Sequence, residues 1–427
     1  MNATALTWGL KLSLVVVGLL AGHSVALSQQ NPYRLKETSQ RALCLSCHAD
    51  FEATLKKRFV HAAVASGDCS SCHSPHVSSH EKLLSESPAQ LCASCHGDLV
   101  PASAKSTHQV VADGACAKCH DPHASDNAAL LVAKGNDLCI SCHQDVGDAV
   151  ARAKFRHRPV QDGCTTCHTP HASEASVALL KTAVPALCVQ CHKPDSPAFV
   201  TRHRNYPVAQ ASCISCHDPH GSSQPALLLD NVHAPLRDQT CTQCHEPPGS
   251  ATPFATKNVG FELCRACHAE LVTDTFAKPR LHWPVADRQG CANCHSPHAS
   301  RQPKLLKSDT ASLCAACHED TARKIAGVTS KHAPVRDGMC TACHSSHAST
   351  GVYLMDPPSN VEACAACHDY EQHSQHPIGE KVVDPRSPTL RADCLRCHAG
   401  QATDNKYMLL APTNIELCTP CHKQYTR

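Results

Sequence analysis

Sixteen times along this chain, two cysteines stand three apart with a histidine directly after the second. The thiols of such a pair can add to the two vinyl groups of one haem, and the histidine then lies within reach of its iron. The first sets are Cys44, Cys47 and His48; Cys69, Cys72 and His73; Cys92, Cys95 and His96; and Cys116, Cys119 and His120. Next come Cys139, Cys142 and His143; Cys164, Cys167 and His168; Cys188, Cys191 and His192; and Cys213, Cys216 and His217. Then follow Cys241, Cys244 and His245; Cys264, Cys267 and His268; Cys291, Cys294 and His295; and Cys314, Cys317 and His318. The last are Cys340, Cys343 and His344; Cys364, Cys367 and His368; Cys394, Cys397 and His398; and Cys418, Cys421 and His422. All 32 cysteines are used, so the expected cofactor is haem c, covalently attached in 16 copies. Disulfide frameworks and zinc ribbons also consume cysteines. Neither needs the histidine that is never missing here.

A second axial ligand has to come from elsewhere. Of 33 histidines, 16 stand in motifs and His23 lies in the apparent leader, which leaves 16. Supply equals demand if every iron takes two. Eight precede motifs: His61, His108, His157, His203, His233, His282, His332 and His376. Six follow motifs as x-Pro-His or a near match: His76, His123, His171, His220, His298 and His347. His80 and His373 fall outside both slots. An x-Pro-His histidine is three residues beyond its own proximal ligand and cannot reach the opposite face of the same ring. It is therefore expected to serve a neighbouring haem. Two motifs break the pattern, since Cys241 is followed by Glu246-Pro247-Pro248 and Cys394 by Ala399-Gly400-Gln401. Their haems are left to His80, His373, a methionine such as Met355 or Met408, or nothing. Methionine would raise the potential of that haem, and an empty position is where catalysis would be sought.

These ligands need elements to position them. The motifs alternate between a flavour led by an apolar residue, as in RALCLSCH and NDLCISCH, and a flavour followed by x-Pro-His, as in CSSCHSPH and CTTCHTPH. A period of about 48 residues carries two motifs, the scale of a repeat array. Ala49–Val60, Gln144–Phe155 and Glu319–Lys331 read as helices, with Phe51, Leu55 and Phe59 on one face and Asp50 as N-cap. Each helix then meets a histidine such as that of HRPV or HAPV, where proline should stop it. Short apolar steps such as Leu83-Leu84 and Leu305-Leu306 follow about ten residues past the motif histidines and read as packing against porphyrin. The expected fold is mostly irregular with short α-helices and little or no sheet, an elongated repeat-like array built around stacked haems.

The alternation fails once, between Cys213 and Cys241, with eight motifs on either side of Gly221–Asn231. This divides the chain into a leader at 1–26, an octahaem half at 27–225 and another at 226–427. One continuous array with a lost unit is the competing reading. The leader has Lys11, an apolar core from Leu12 to Ala21 and a Ser24-Val25-Ala26 cleavage site, so export is expected, with no membrane span remaining after cleavage. Aromatics are 4% of residues, so porphyrins must supply most of the buried apolar surface. The formal charge of +2 changes once about 32 propionate charges join the chain, and partner binding should then be salt-sensitive. No Lys/Arg tract points to nucleic acid.

The leucine-led motif, the histidine before most second motifs and the x-Pro-His after them resemble the doubled CXXCH family of multihaem cytochromes c. The resemblance covers residues 42–422 and is shared with periplasmic decahaem cytochromes seated in outer-membrane porins. It implies bis-histidine haem and electron transfer in the anaerobic or extracellular respiration of a bacterium. Its setting would be periplasmic, outer-membrane-associated or extracellular. The implied partners are a periplasmic or inner-membrane donor, an outer-membrane porin and an extracellular cytochrome. Sixteen motifs exceed the decahaem type, which leaves the porin partnership open. An electron carrier without enzymatic activity is the leading expectation. The alternatives are a reductase of a small nitrogen or sulfur oxyanion, working at an iron with an open axial position, and a filament subunit.

Overall fold

The computed structural model describes residues 39–97, 99–369, 376–379 and 381–425. The leader and His373 lie outside them. The described residues form two units, one of residues 39–87 with 120–131 and one of residues 88–119 with 132–425. Both use the same local construction of short helices, tiny strand pairs and mostly irregular chain.

No described helix exceeds nine residues, the length of Gln144–Arg152, Ala269–Ala277 and Glu319–Gly327. The first expected helix shrinks to Phe51–Thr54, and Asp50, though at its N-cap, makes no side-chain capping bond. In each case the residues beyond enter a two-residue strand: Phe59–Val60, Phe155–Arg156 and Ser330–Lys331. From the sequence, the histidines that follow are expected to end these helices. Instead His61, His108, His157, His233 and His332 are the N-caps of new ones. Proline explains the difference, because its missing N–H is harmless in a first turn. Pro159, Pro235 and Pro334 therefore start short helices rather than stop long ones. His203 alone ends a helix, as the C-cap of Pro197–Arg202.

Among the described residues, six antiparallel pairs join distant parts of the chain. Phe59–Val60 pairs with Ala124–Ser125, Ser106–Thr107 with Ala172–Ser173, and Phe155–Arg156 with Gly221–Ser222. Asn231–Val232 pairs with Ala299–Ser300, Arg280–Leu281 with Ala348–Ser349, and Ser330–Lys331 with Ala402–Thr403. The later strand of each pair directly follows an x-Pro-His arm or its equivalent. Small residues there permit close approach: Ala124, Ala299 and Ala348 are buried, and a Cβ on Gly221 would meet Ala153 Cβ at 2.8 Å. The serine after each small residue closes the arm. Ser125 Oγ donates to Leu131 O at 2.6 Å and accepts the N–H of Asn127 at 3.0 Å. Ser173, Ser222, Ser300 and Ser349 repeat that arrangement.

Polar contacts bridge Gly221–Asn231. The hydroxyl of buried Tyr206 donates to Glu246 O at 2.7 Å, and Arg301 pairs with Asp218 at 2.8 Å. No described helix is long and apolar enough to cross a membrane.

Among the described residues the buried apolar set is only Ala124, Tyr206, Leu229, Val272, Ala299 and Ala348. Polypeptide alone does not make a core here. A haem-free preparation should accordingly give the far-ultraviolet circular dichroism of an unfolded chain, and a native-like spectrum would contradict this. In the holoprotein, Ala299→Leu overfills the strand pair and should cost about 1–3 kcal/mol, read as a lower denaturation midpoint.

Candidate haem sites

Each second-flavour motif opens in a 3-10 turn of three or four residues, as at Cys69–Ser71 and Gly290–Asn293. Leucine-led motifs mostly place their first cysteine in a short helix, as in Gln40–Leu45 and Thr310–Ala315. Both end alike. The histidine N–H bonds to the carbonyl of the first cysteine, at 3.0 Å for His73 and for His48, which fixes the imidazole one turn beyond the thiols.

In the second flavour the imidazole is also oriented. His73 Nδ1 lies 2.9 Å from Lys82 O. The corresponding bonds of His120, His168, His217, His245, His295, His344 and His398 span 2.8–3.1 Å. A carbonyl can only accept, so Nδ1 carries the proton and Nε2 presents a lone pair, the tautomer a metal requires. Except at the Cys241 motif, the accepting carbonyl belongs to a turn in which two successive residues have positive φ, such as Lys82 and Leu83, Ala129 and Leu130, or Tyr353 and Leu354. Such non-glycine conformations cost about 1–3 kcal/mol each, and here they aim the carbonyl at the imidazole. The apolar steps noted in the sequence fall in these turns.

The histidine rings meet in pairs across the repeats. In the smaller unit His73 faces His123, with centroids 6.0 Å apart and planes within 16°. In the larger unit His108 faces His143, His157 faces His192 and His168 faces His220, at 6.0–6.2 Å. His233 faces His268, His245 faces His298 and His282 faces His318, at 5.8–6.3 Å. His295 faces His347 at 6.2 Å and His332 faces His368 at 5.8 Å. Two pairs are crossed: His203 with His217 at 66° and His376 with His422 at 80°, each at 6.3 Å. Two metal–imidazole bonds of about 2 Å and two nitrogen-to-centroid distances of about 1.1 Å would span roughly 6.2 Å. The rings are spaced to hold one iron between them.

A clasp sets these pairs. His157 donates its N–H to His220 O at 3.2 Å and its Nδ1 proton to Pro219 O at 2.8 Å. His108 does so with His171 and Pro170, His233 with His298 and Pro297, and His282 with His347 and Ser346. One x-Pro-His arm thus orients a histidine from an earlier repeat while its own imidazole faces another motif. Burial pushes His123, His217, His220, His298 and His347 below the usual histidine range, favouring the neutral ligand form.

The cysteines are disposed for attachment. All 32 are free. First cysteines of successive motifs approach one another, Cys44 with Cys69, Cys139 with Cys164, Cys188 with Cys213, Cys314 with Cys340 and Cys364 with Cys394. Second cysteines meet at the alternate junctions, Cys119 with Cys142, Cys244 with Cys267, Cys294 with Cys317 and Cys343 with Cys367. Burial, and then the facing thiol, pushes Cys139, Cys188, Cys314 and Cys364 up. Between Cys264 and Cys291 a direct hydrogen bond raises the first and lowers the second. Neutral thioethers remove this crowding of acidic groups.

A family model described as the doubled CXXCH motif matches residues 61–101, 108–148, 157–197, 205–232, 233–273, 282–323, 332–373 and 387–427. The chain belongs to this family. It is a multihaem c-type cytochrome with covalently attached haem c. No curated protein matched the chain. Six of the cytochrome's matched segments begin on a clasp histidine: His61, His108, His157, His233, His282 and His332. The segment 205–232 holds only the Cys213 motif, and Cys44 precedes them all.

The geometry relocates two ligand shortfalls. Because an arm serves the second-flavour motif upstream of it, His298 faces His245, and the Cys241 motif is not short of a histidine. Its missing arm affects His217 instead, and His203 takes the place. The missing arm at Cys394 likewise affects His344. Among the described residues no histidine ring faces His48 or His344, and neither His76 nor His80 stands opposite one. His76 is exposed, and Val77 after it is 78% exposed where Ala124 is wholly buried. His61, His96, His120, His171 and His398 keep the backbone and motif positions described above. The recurring serine two residues after each arm histidine, from Ser78 to Ser349, was legible as a repeat but not singled out in the sequence.

Replacing His220 by alanine should open one haem, adding one high-spin signal and one carbon monoxide site per molecule. That gain should vanish when Cys164 and Cys167 are also changed to serine, and survive when Cys213 and Cys216 are. The reverse pattern would show that the arm serves its own motif.

Proposed function

We propose that this cytochrome carries 16 haems and serves as an electron conduit in bacterial anaerobic or extracellular respiration. The observation that carries the reading is the pairing of histidine rings across repeats, at a spacing suited to irons with both axial positions filled. Bound haem supplies one-electron chemistry, its iron alternating between ferric and ferrous. The paired cysteines tether each group, and the motif histidine and its facing partner hold the iron from two sides. Backbone carbonyls keep the ligating nitrogens deprotonated, and the clasps hold successive sites in register. Irons filled by two histidines leave no place for substrate, which favours a carrier over an enzyme.

Export is part of the reading, supported by the leader at residues 1–26 and by the need to attach haem outside the cytoplasm. The partners would be a periplasmic or inner-membrane donor and an acceptor at or beyond the outer membrane. A second reading, reduction of a small nitrogen or sulfur oxyanion, is favoured only by His48 and His344, which no histidine ring faces among the described residues.

Intact-mass analysis of natively matured protein should register 16 haems, and a reductive titration should take up one electron for each. The reduced protein should then discharge to an electrode or a soluble carrier. Failure to pass electrons to any carrier, electrode or mineral would end the conduit reading.

A further inference from the structure

The strand pair Ser330–Lys331 with Ala402–Thr403 reproduces the other five in register and setting. His332 donates its N–H to the carbonyl of residue 401 at 3.0 Å, as His108 does to His171, His233 to His298 and His282 to His347. Thr403 Oγ1 donates to Leu409 O at 3.2 Å and accepts from Asn405 N–H, which is the closure made elsewhere by serine. The arm is therefore intact, but the residue in the histidine seat is Gln401. In the other arms of the larger unit whose rings are placed, the histidine in that seat faces the motif histidine of the preceding second-flavour site: His220 to His168, His298 to His245 and His347 to His295. The preceding site here is His344.

The proximal side of that site is complete. His344 Nδ1 is held by Tyr353 O at 2.9 Å, so its Nε2 is free to bind iron. Met355, a candidate ligand from the sequence, sits instead in the proximal bridge opposite His344, where six other repeats have leucine and one has threonine. The chain has met such a loss once before. Where the Cys241 motif lacks its arm, His203 turns to His217. It is free to do so because the leucine-led motif it would otherwise serve is missing. No such release occurs near His344, since His332 is engaged with His368 and His376 with His422.

We propose that the haem on Cys340 and Cys343 has an exchangeable distal position with Gln401 in its seat. It would bind a small exogenous lone-pair donor that accepts a hydrogen bond from the glutamine amide. An amide is a poor ligand for iron beside imidazole, so it does not close the position. The inference needs haem at Cys340 and does not depend on conduction along the chain.

The test uses the holoprotein with carbon monoxide on the ferrous form and cyanide on the ferric form. Wild type should bind one more carbon monoxide per molecule than Gln401→His at equal haem content, and should lose one high-spin haem signal in that variant. Gln401→Ala should keep the carbon monoxide stoichiometry and weaken cyanide binding about fivefold, the worth of one hydrogen bond. Equal carbon monoxide uptake by wild type and Gln401→His, or none by wild type, would overturn the open position. Unchanged cyanide affinity in Gln401→Ala would overturn the role of the amide, and that variant decides the matter should Gln401→His fail to mature. Electron transfer measured on the same wild-type sample reports separately on the conduit reading.

Discussion

The structure depends on a backbone clasp between repeats. A histidine at the start of one short helix gives its N–H, and in four cases also its Nδ1 proton, to carbonyls of an arm 62 to 69 residues further on. The bonds are ordinary amide and imidazole hydrogen bonds, each modest in net energy. Their effect is positional. They fix the tautomer and direction of one ring, while the arm that accepts them swings its own imidazole to a different motif. Each arm thus couples two candidate iron sites through a few atoms of main chain. Outer partners of this kind orient metal ligands and tune the metal they hold.

The clasp demands small residues beside it and a tight return behind it. Alanine or glycine lets the two strands touch, and the following serine or threonine hydroxyl turns the chain back toward the proximal side. There the positive-φ turns spend conformational energy to point one carbonyl at the motif histidine. Seven of the eight second-flavour motifs use such a turn, with alanine, lysine or tyrosine at its first left-handed position. The Cys241 motif obtains the same bond from Phe254 through a different turn. The bond, rather than the turn, is the constant.

Irregularities in the repeat make sense in the same terms. A missing leucine-led motif before Cys241 frees His203, and a missing arm after Cys241 leaves His217 in need of a partner. The two omissions offset each other, at the cost of a ring pair crossed at 66° instead of nearly parallel. At Gln401 the arm keeps its main-chain bonds and loses only its ligand. Backbone architecture and ligand identity are therefore separable, which is how a site can change chemistry without disturbing its neighbours.

The covalent chemistry was legible in the residues alone. Attachment by Cys69 and Cys72 beside His73 needs only atoms three and four positions apart, so local spacing determined it. Composition likewise showed that the chain lacks a core of its own. The direction of the histidines was not legible. His157 precedes a proline in a way that reads as a helix stop, yet it starts a helix, because the strand pair with Gly221–Ser222 captures the residues before it. Nor could spacing show that the arm after Cys241 would have served His217 rather than His245. Which imidazole faces which depends on contacts between segments more than 60 residues apart, and those exist only once the clasps have closed.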